Sequence, residues 1–183
     1  MDKPKPDIVF HLMCFMMKLR DIVITPKSLL DAADIRTGQS VLDYGCGPGM
    51  YTFMAARLVG PCGMIHALDI QPLALRKIAK QALRQGMNNV WTIQSNCATG
   101  LDTASIDRVL LYDNYHMFSD PDSIMVELHR VLKPDGILSF SDHHLKESVI
   151  LEKVAHTGLF KLMNKGRLVY TYAKASHVPI SEG

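Results

Sequence analysis

Val41-Leu42-Asp43-Tyr44-Gly45-Cys46-Gly47-Pro48-Gly49 decides the reading of this chain. A short apolar run meets an acid and then three glycines at alternate positions. Beyond them Tyr51, Met54, Ala55 and Leu58 recur at helical spacing. Glycines at such a place let the backbone turn sharply and approach a bound molecule, because no Cβ stands in the way. The helix start just beyond offers unpaired N–H groups. Strand, Gly-rich turn and helix together make a nucleotide-type binding unit. The spacing is Gly-x-Gly-x-Gly, not the Gly-x-Gly-x-x-Gly of dinucleotide sites. Asp43 adds a carboxylate where a pyrophosphate would be repelled, and an acid there suits a ligand with a positive group.

Outward from this turn the chain alternates strands and helices. Strands centre on 41–45, 64–69, 90–95, 107–112 and 137–142. Leu75, Ile78, Ala79 and Ala82 form one helical face, and Ile124, Leu128 and Val131 another, opened by Asp120-Pro121. A last helix covers about 147–156. Leu159–Met163 and Leu168–Ala173 read as two strands around an Asn164-Lys165-Gly166 turn. Strands separated by helices imply a parallel sheet with helices on both faces. Before the turn, Asp7–Arg20 reads as an apolar helix, and Thr25-Pro26 opens a second helix to about Ala33.

Five segments in register resemble the motifs of the class I S-adenosylmethionine-dependent methyltransferases. The Gly-rich turn is similar to the first. Met64–Ile70 resembles the second strand with its ribose-binding acid, and Val90–Cys97 the third strand. Ser105–Leu111 resembles the fourth, and Glu127–Gly136 the helix and turn before the fifth. The resemblance runs from about residue 37 to about residue 145, and the type 11 and ubiquinone/menaquinone branches look closest. It implies an α/β, Rossmann-like sheet of seven strands, mostly parallel, with a C-terminal antiparallel hairpin. It also implies one domain over residues 1–183, with 1–36 as a helical cap and 37–183 as the cofactor-binding core. The substrate lid many relatives insert after the fifth strand is absent. Acceptor selection then falls to the N-terminal helices and the loop after strand four.

The implied cofactor is S-adenosyl-L-methionine. Asp43, Tyr44, Gly45, Cys46, Gly47 and Gly49 would line its methionyl half. Asp69 would accept the ribose hydroxyls, although the same carboxylate can instead cap the helix opened by Gln71-Pro72. Ile70 would pack on the adenine face, or belong to the core at its strand end. Asn96, where the family has Asp, would meet the adenine amino group through a neutral carbonyl. Cys97 would wall the adenine pocket, and Tyr112 would close the cofactor site at the end of strand four.

Asp113 and His116 follow strand four, and Asp142-His143-His144 follows strand five. Imidazole takes and gives protons near neutral pH, so His116, His143 and Asp113 are the catalytic candidates, to orient an acceptor or remove its proton. A capping or packing role is the alternative. The same residue types also bind metals, but adjacent strand residues point to opposite faces, so His143 and His144 should not meet at one ion. No metal is expected. Tyr170 and Lys174 have Tyr-x-x-x-Lys spacing, but a strand would separate them by about 13 Å.

Net charge is +2 with basic residues scattered, which gives no nucleic-acid surface. The apolar stretch Ile8–Met17 is broken by His11 and too short to span a bilayer, so no stable membrane insertion is expected. Cys14, Cys46, Cys62 and Cys97 form no Cys-x-x-Cys pair and read as reduced thiols of a cytoplasmic protein. Phe10, Met13, Cys14, Met16 and Met17 suit an apolar or soft acceptor, or mere packing. The expected activity is methyl transfer to a small molecule. Transfer to protein or RNA, and a cofactor-binding subunit without catalysis, stay open.

Overall fold

The computed structural model describes residues 26–175, together with Pro4 and Pro6. The helix expected over Asp7–Arg20 lies outside the described residues. Seven strands, β1 (Ser40–Tyr44), β2 (Met64–Asp69), β3 (Val90–Gln94), β4 (Ile106–Tyr112), β5 (Leu132–Ser141), β6 (Phe160–Lys165) and β7 (Tyr170–Lys174), form one sheet. Its order is β3-β2-β1-β4-β5-β7-β6. The first five strands are parallel, and β7 runs antiparallel to both β5 and β6. The helices are α1 (Pro26–Ala32), α2 (Met50–Val59), α3 (Pro72–Arg84), α4 (Pro121–Val131) and α5 (Glu147–His156).

Strand alternation sends neighbours to opposite faces, and here both faces are covered. Val41, Ile65, Leu110 and Tyr112 pack with α1 and α2, and Ala67 with Phe53 of α2 and Leu75 and Ile78 of α3. Leu42, Tyr44, Leu68, Val109, Leu111, Leu138 and Phe140 pack on the other side with Ile124, Met125 and Leu128 of α4 and Ile150 and Val154 of α5. That explains why adjacent residues such as Val41-Leu42, Ala67-Leu68 and Val109-Leu110-Leu111 are all apolar, with no alternation of apolar and polar positions.

The parallel register brings the strand ends level. Tyr44 lies opposite Leu68 and Leu111, Asp69 opposite Gln94, and Tyr112 opposite Ser141. Strand order reverses between β1 and β4, and open α/β sheets bind ligands at that switch point, beyond the carboxyl ends. α1 lies along β4. Tyr112 Oη donates to the Leu29 carbonyl at 3.1 Å, while Arg108 Nε, at the other end of the strand, reaches the Ala33 carbonyl at 3.0 Å. The first turn of α1 therefore sits on the switch-point side.

Two boundaries differ from the sequence reading. β5 starts at Leu132, not 137, because Leu132 already pairs with Ile106. Pairing resumes at Arg108 with Ile137, so residues 133–136 are looped out of register. The last hairpin turns at Gly166–Val169, not at 164–166. Pairing shifts between Leu162 and Asn164, leaving Met163 as an extra residue, and β6 then runs on until Lys165 faces Tyr170. Tyr170 and Lys174 do lie on one strand, so they cannot act as a pair.

Asn89 ties the end of α2 to the start of β3. It is buried, and its Nδ2 donates to the Ala56 and Gly60 carbonyls at 3.0 and 2.8 Å. Asn89→Ala should lower stability by about 1–3 kcal/mol, the cost of leaving such acceptors unpaired. A urea midpoint equal to wild type would show that the helix end does not depend on this residue.

Candidate functional site

The Gly-rich turn sits at the switch point and uses its donors internally. Gly45 and Cys46 N–H both donate to the Leu68 carbonyl, at 2.8 and 2.9 Å. Gly47 N–H donates to Asp69 Oδ2 at 2.8 Å, and Gly49 N–H to the Cys46 carbonyl at 2.9 Å. Pro48 has no N–H. The turn is therefore not a phosphate cradle, which needs donors aimed outward. What it offers is close approach. Gly45 has φ +76°, and a Cβ there would collide with Asn114 Nδ2. Gly49 has φ +86°, and its Cβ would stand 2.7 Å from Ile78 Cγ1 of α3.

Two buried carboxylates flank the turn. Asp69 accepts from Gly47 N–H through Oδ2 and from Gln71 N–H through Oδ1, each at 2.8 Å. One side chain thus clasps the turn and holds the start of α3. Burial raises its pKa, and the backbone N–H bonds pull against that rise. Asp43 accepts from Thr52 Oγ1 of α2 at 2.6 Å. Burial pushes its carboxyl up to about 7, with the Thr52 bond opposing and the charge of Asp69 adding. Asp43 thus ties β1 to α2 through one of its carboxylate oxygens.

The remaining cofactor candidates divide by position. Tyr44 is a core residue whose hydroxyl donates to the Asn96 and Cys97 carbonyls, both at 3.3 Å. It anchors the bend that carries exposed Asn96 and half-buried Cys97. Ile70 is half-buried just beyond β2. Cys46 is buried among Phe53, Leu75 and Ile78, and burial holds its thiol far above the ordinary range. Tyr112 ends β4 and is buried. Its hydroxyl is bonded to the Leu29 carbonyl and, at 2.7 Å, to Ser139 Oγ, and its ring meets Tyr51 edge-on, so its polar end serves packing on α1.

The loops after β4 and β5 are laced together. His116 Nδ1 lies 2.9 Å from Asp142 Oδ2, and the same carboxylate accepts His116 N–H and His144 N–H, each at 3.0 Å. In return His143 Nδ1 lies 2.6 Å from Asp113 Oδ1, which also accepts His143 N–H at 3.1 Å. Asp113 has φ +56°, a left-handed conformation that an aspartate tolerates. The ring of His144 stands between the other two, with centroids 4.2 Å from His116 and 3.9 Å from His143. Burial and the two neighbouring imidazoles lower its pKa. The expectation that His143 and His144 diverge is thus corrected: β5 ends at Ser141, and strand alternation stops there. Among the described residues, no three His, Cys, Asp or Glu side chains are arranged to hold one metal ion.

The structure therefore brings His116, His143 and Asp113 into one cluster. It adds Asp142, His144, Thr52 and Asn114, which were not among the sequence candidates. Three of the four sit in stretches already singled out, but only the fold shows their partners. Thr52 carries no signal beyond its helix.

The methyltransferase-domain family profile matches residues 35–175. Nocamycin O-methyltransferase of Saccharothrix syringae is 34% identical over 60% of this chain and 40% of its own length. The ubiquinone/menaquinone biosynthesis C-methyltransferase UbiE of Hahella chejuensis is 31% identical over 72% of this chain and 55% of its own. The chain spans about half the length of the curated relatives it matches. In fold it is similar to a SAM-dependent methyltransferase from Aquifex aeolicus, with TM-score 0.74 at 20% identity over 85% of this chain and 91% of that one. No helix among the described residues is long and apolar enough to cross a membrane.

Asp43 makes stability fall with pH. Its carboxyl rises from an ordinary 3.8 to about 7 on folding, so the folded state binds the proton more tightly. That contribution is complete below about pH 4 and is lost as pH rises through 7. Asp69, also raised, acts in the same direction. In urea denaturation at a series of pH values, Asp43→Asn should flatten part of the decline between pH 4 and 7. A slope identical to wild type would mean that Asp43 ionises normally in the fold.

Proposed function

The chain belongs to the class I S-adenosylmethionine-dependent methyltransferase family, and on that premise we propose that it transfers a methyl group from S-adenosyl-L-methionine to a small-molecule acceptor. The observation that carries the reading is the meeting, at the carboxyl ends of the parallel strands, of a Gly-rich turn clasped by Asp69 and a histidine cluster after β4 and β5.

The residues fit this cofactor. The missing Cβ atoms of Gly45 and Gly49 let Asn114 and Ile78 close on the turn, beside which the methionyl half would lie, and the turn lacks the outward donors an anionic pyrophosphate would need. Asp69 uses two of the roughly four lone-pair sites of a carboxylate on backbone N–H groups, which leaves capacity for ribose hydroxyls. Ile70, Asn96 and Cys97 stand beyond β2 and β3, where adenine would lie. When bound, the cofactor supplies an electrophilic methyl group on a positively charged sulfur. Asp142 and Asp113 take the Nδ1 side of His116 and His143, so each ring keeps Nε2 for a proton released by the acceptor. The main work of the protein is alignment of the two reactants.

An acceptor of small-molecule type, apolar or soft, follows the relatives named above and the Met- and Phe-rich stretch before α1. α1 begins on the switch-point side, which supports residues 1–36 as a cap over a single domain. Scattered charge argues against nucleic acid, and the thiols suit the cytoplasm.

Calorimetry should show binding of S-adenosylhomocysteine and not of NAD, and tighter binding of NAD would refute the reading. Labelled methyl transfer across pools of small acceptors, proteins and RNA then tests the activity. Cofactor binding with no turnover on any pool would leave only a binding module. Once an acceptor is in hand, replacing the acting base, His116 or His143, by Ala should slow single-turnover transfer by about 10²–10⁴ and leave cofactor affinity nearly unchanged. Normal rates for both variants across pH 5–9 (a range of about four units around imidazole) would make both histidines structural.

A further inference from the structure

β3 closes one side of the sheet and pairs only with β2. The Asn89 carbonyl accepts the Ile65 N–H at 2.8 Å, and the Ser95 N–H donates to the Asp69 carbonyl at 3.3 Å, so both face β2. Alternation along the strand then aims the N–H and C=O groups of Val90, Thr92 and Gln94 outward. Among the described residues no strand meets them. β3 holds no Pro, no charged residue and no register shift, so nothing on it obstructs a further strand.

The side chains bordering this edge are open too. Of the large apolar side chains among the described residues, Leu83 of α3 at 82% and Trp91 at 63% are the most exposed. Trp91 stands on one face of β3, and Thr92 and Gln94 on the other. On that second face a groove of about 270 Å³ runs between α3 and β3, lined by Pro72, Leu75, Arg76, Ala79, Thr92 and Gln94. Leu83 continues the stripe of Arg76 and Ala79 along α3. The chain's basic residues are scattered, yet α3 carries Arg76, Lys77, Lys80 and Arg84 and no acid. Among the described residues no carboxylate forms an ion pair with Arg76, Lys80 or Arg84.

We propose that this edge docks an extended segment of a partner protein in which acidic and apolar residues alternate. Its backbone pairs with Val90, Thr92 and Gln94 and lengthens the sheet by one strand. Glutamates on the groove side lay their stems on Leu75 and Ala79 and reach Arg76. Apolar residues on the other side cover Trp91. A second copy of this chain fits less well. Antiparallel pairing of β3 with itself brings two α3 helices side by side, each with basic charges only. A nucleic acid matches the charge but has no peptide ladder to meet the strand.

The test titrates the full chain with a short capped peptide of alternating glutamate and valine, and with its lysine–valine counterpart. The acidic peptide should bind about tenfold tighter or more. The amide signals of Val90, Thr92 and Gln94 should shift and exchange more slowly with solvent. Thr92→Pro removes an outward N–H without touching the ladder to β2, and should weaken binding by about tenfold or more. Arg76→Glu with Lys80→Glu should reverse the preference between the peptides, and decides the matter if Thr92→Pro does not fold. No binding, equal binding of both peptides, or a folded Thr92→Pro protein that binds normally overturns the proposal. So does a uridine oligonucleotide that displaces the acidic peptide, or a wild-type dimer that Thr92→Pro makes monomeric.

Discussion

The Gly-rich turn keeps its shape because the neighbouring strand holds it. Two of its N–H groups converge on the Leu68 carbonyl and a third on the Asp69 carboxylate. A run of glycines has much backbone entropy to lose on folding, and these bonds keep it in one conformation. Other features of the site build on that conformation. It sets where the Tyr44 carbonyl points, and hence where Asn114 docks. It starts α2 at Gly49, and hence places Thr52 against Asp43. Asp69 does this while also accepting the Gln71 N–H, so the β2 end, the turn and α3 share one carboxylate.

A second constraint comes from the reciprocal aspartate–histidine contacts. Each of the two loops lends an acid to the other's imidazole, with Asp142 serving His116 and Asp113 serving His143. Each acid also accepts backbone N–H groups, so it orients a ring and pins a loop at once. Such support is what a reactive side chain needs if its nitrogen is to stay in one place. His144 stands between the two dyads on the exposed side, where local desolvation and the two neighbouring imidazoles favour the uncharged ring.

Much of the fold was legible because both faces of the sheet are covered. That turns β1, β2 and β4 into apolar runs that declare themselves, and Pro72 and Pro121 mark two helix starts. The Gly-rich turn and the gathering of His116, His143 and Asp113 were legible because parallel strands end level and β4 neighbours β5. What stayed hidden depends on long-range pairing. The loop-out at 133–136 and the bulge at Met163 are register events that no local pattern encodes. Asn114 and Asp142 look like ordinary loop residues until partners 70 and 26 residues away are in place. Strand logic misplaced His144 because it was applied past the last paired residue, Ser141.

The extra residue in β6 has a consequence for how molecules of this protein meet one another. β6 is one of the two edge strands, and all its residues after Phe160 are exposed. A flat, apolar outer strand would be a template on which another chain adds by backbone pairing. Here the irregularity at Met163 breaks the ladder midway, and Lys161 and Lys165 stand on either side of it. Lys165 is held to Glu147 of α5, which keeps one of those charges at the rim. The border is thereby blunted against fibre-like stacking, even though Leu162 and Met163 lie in contact with water.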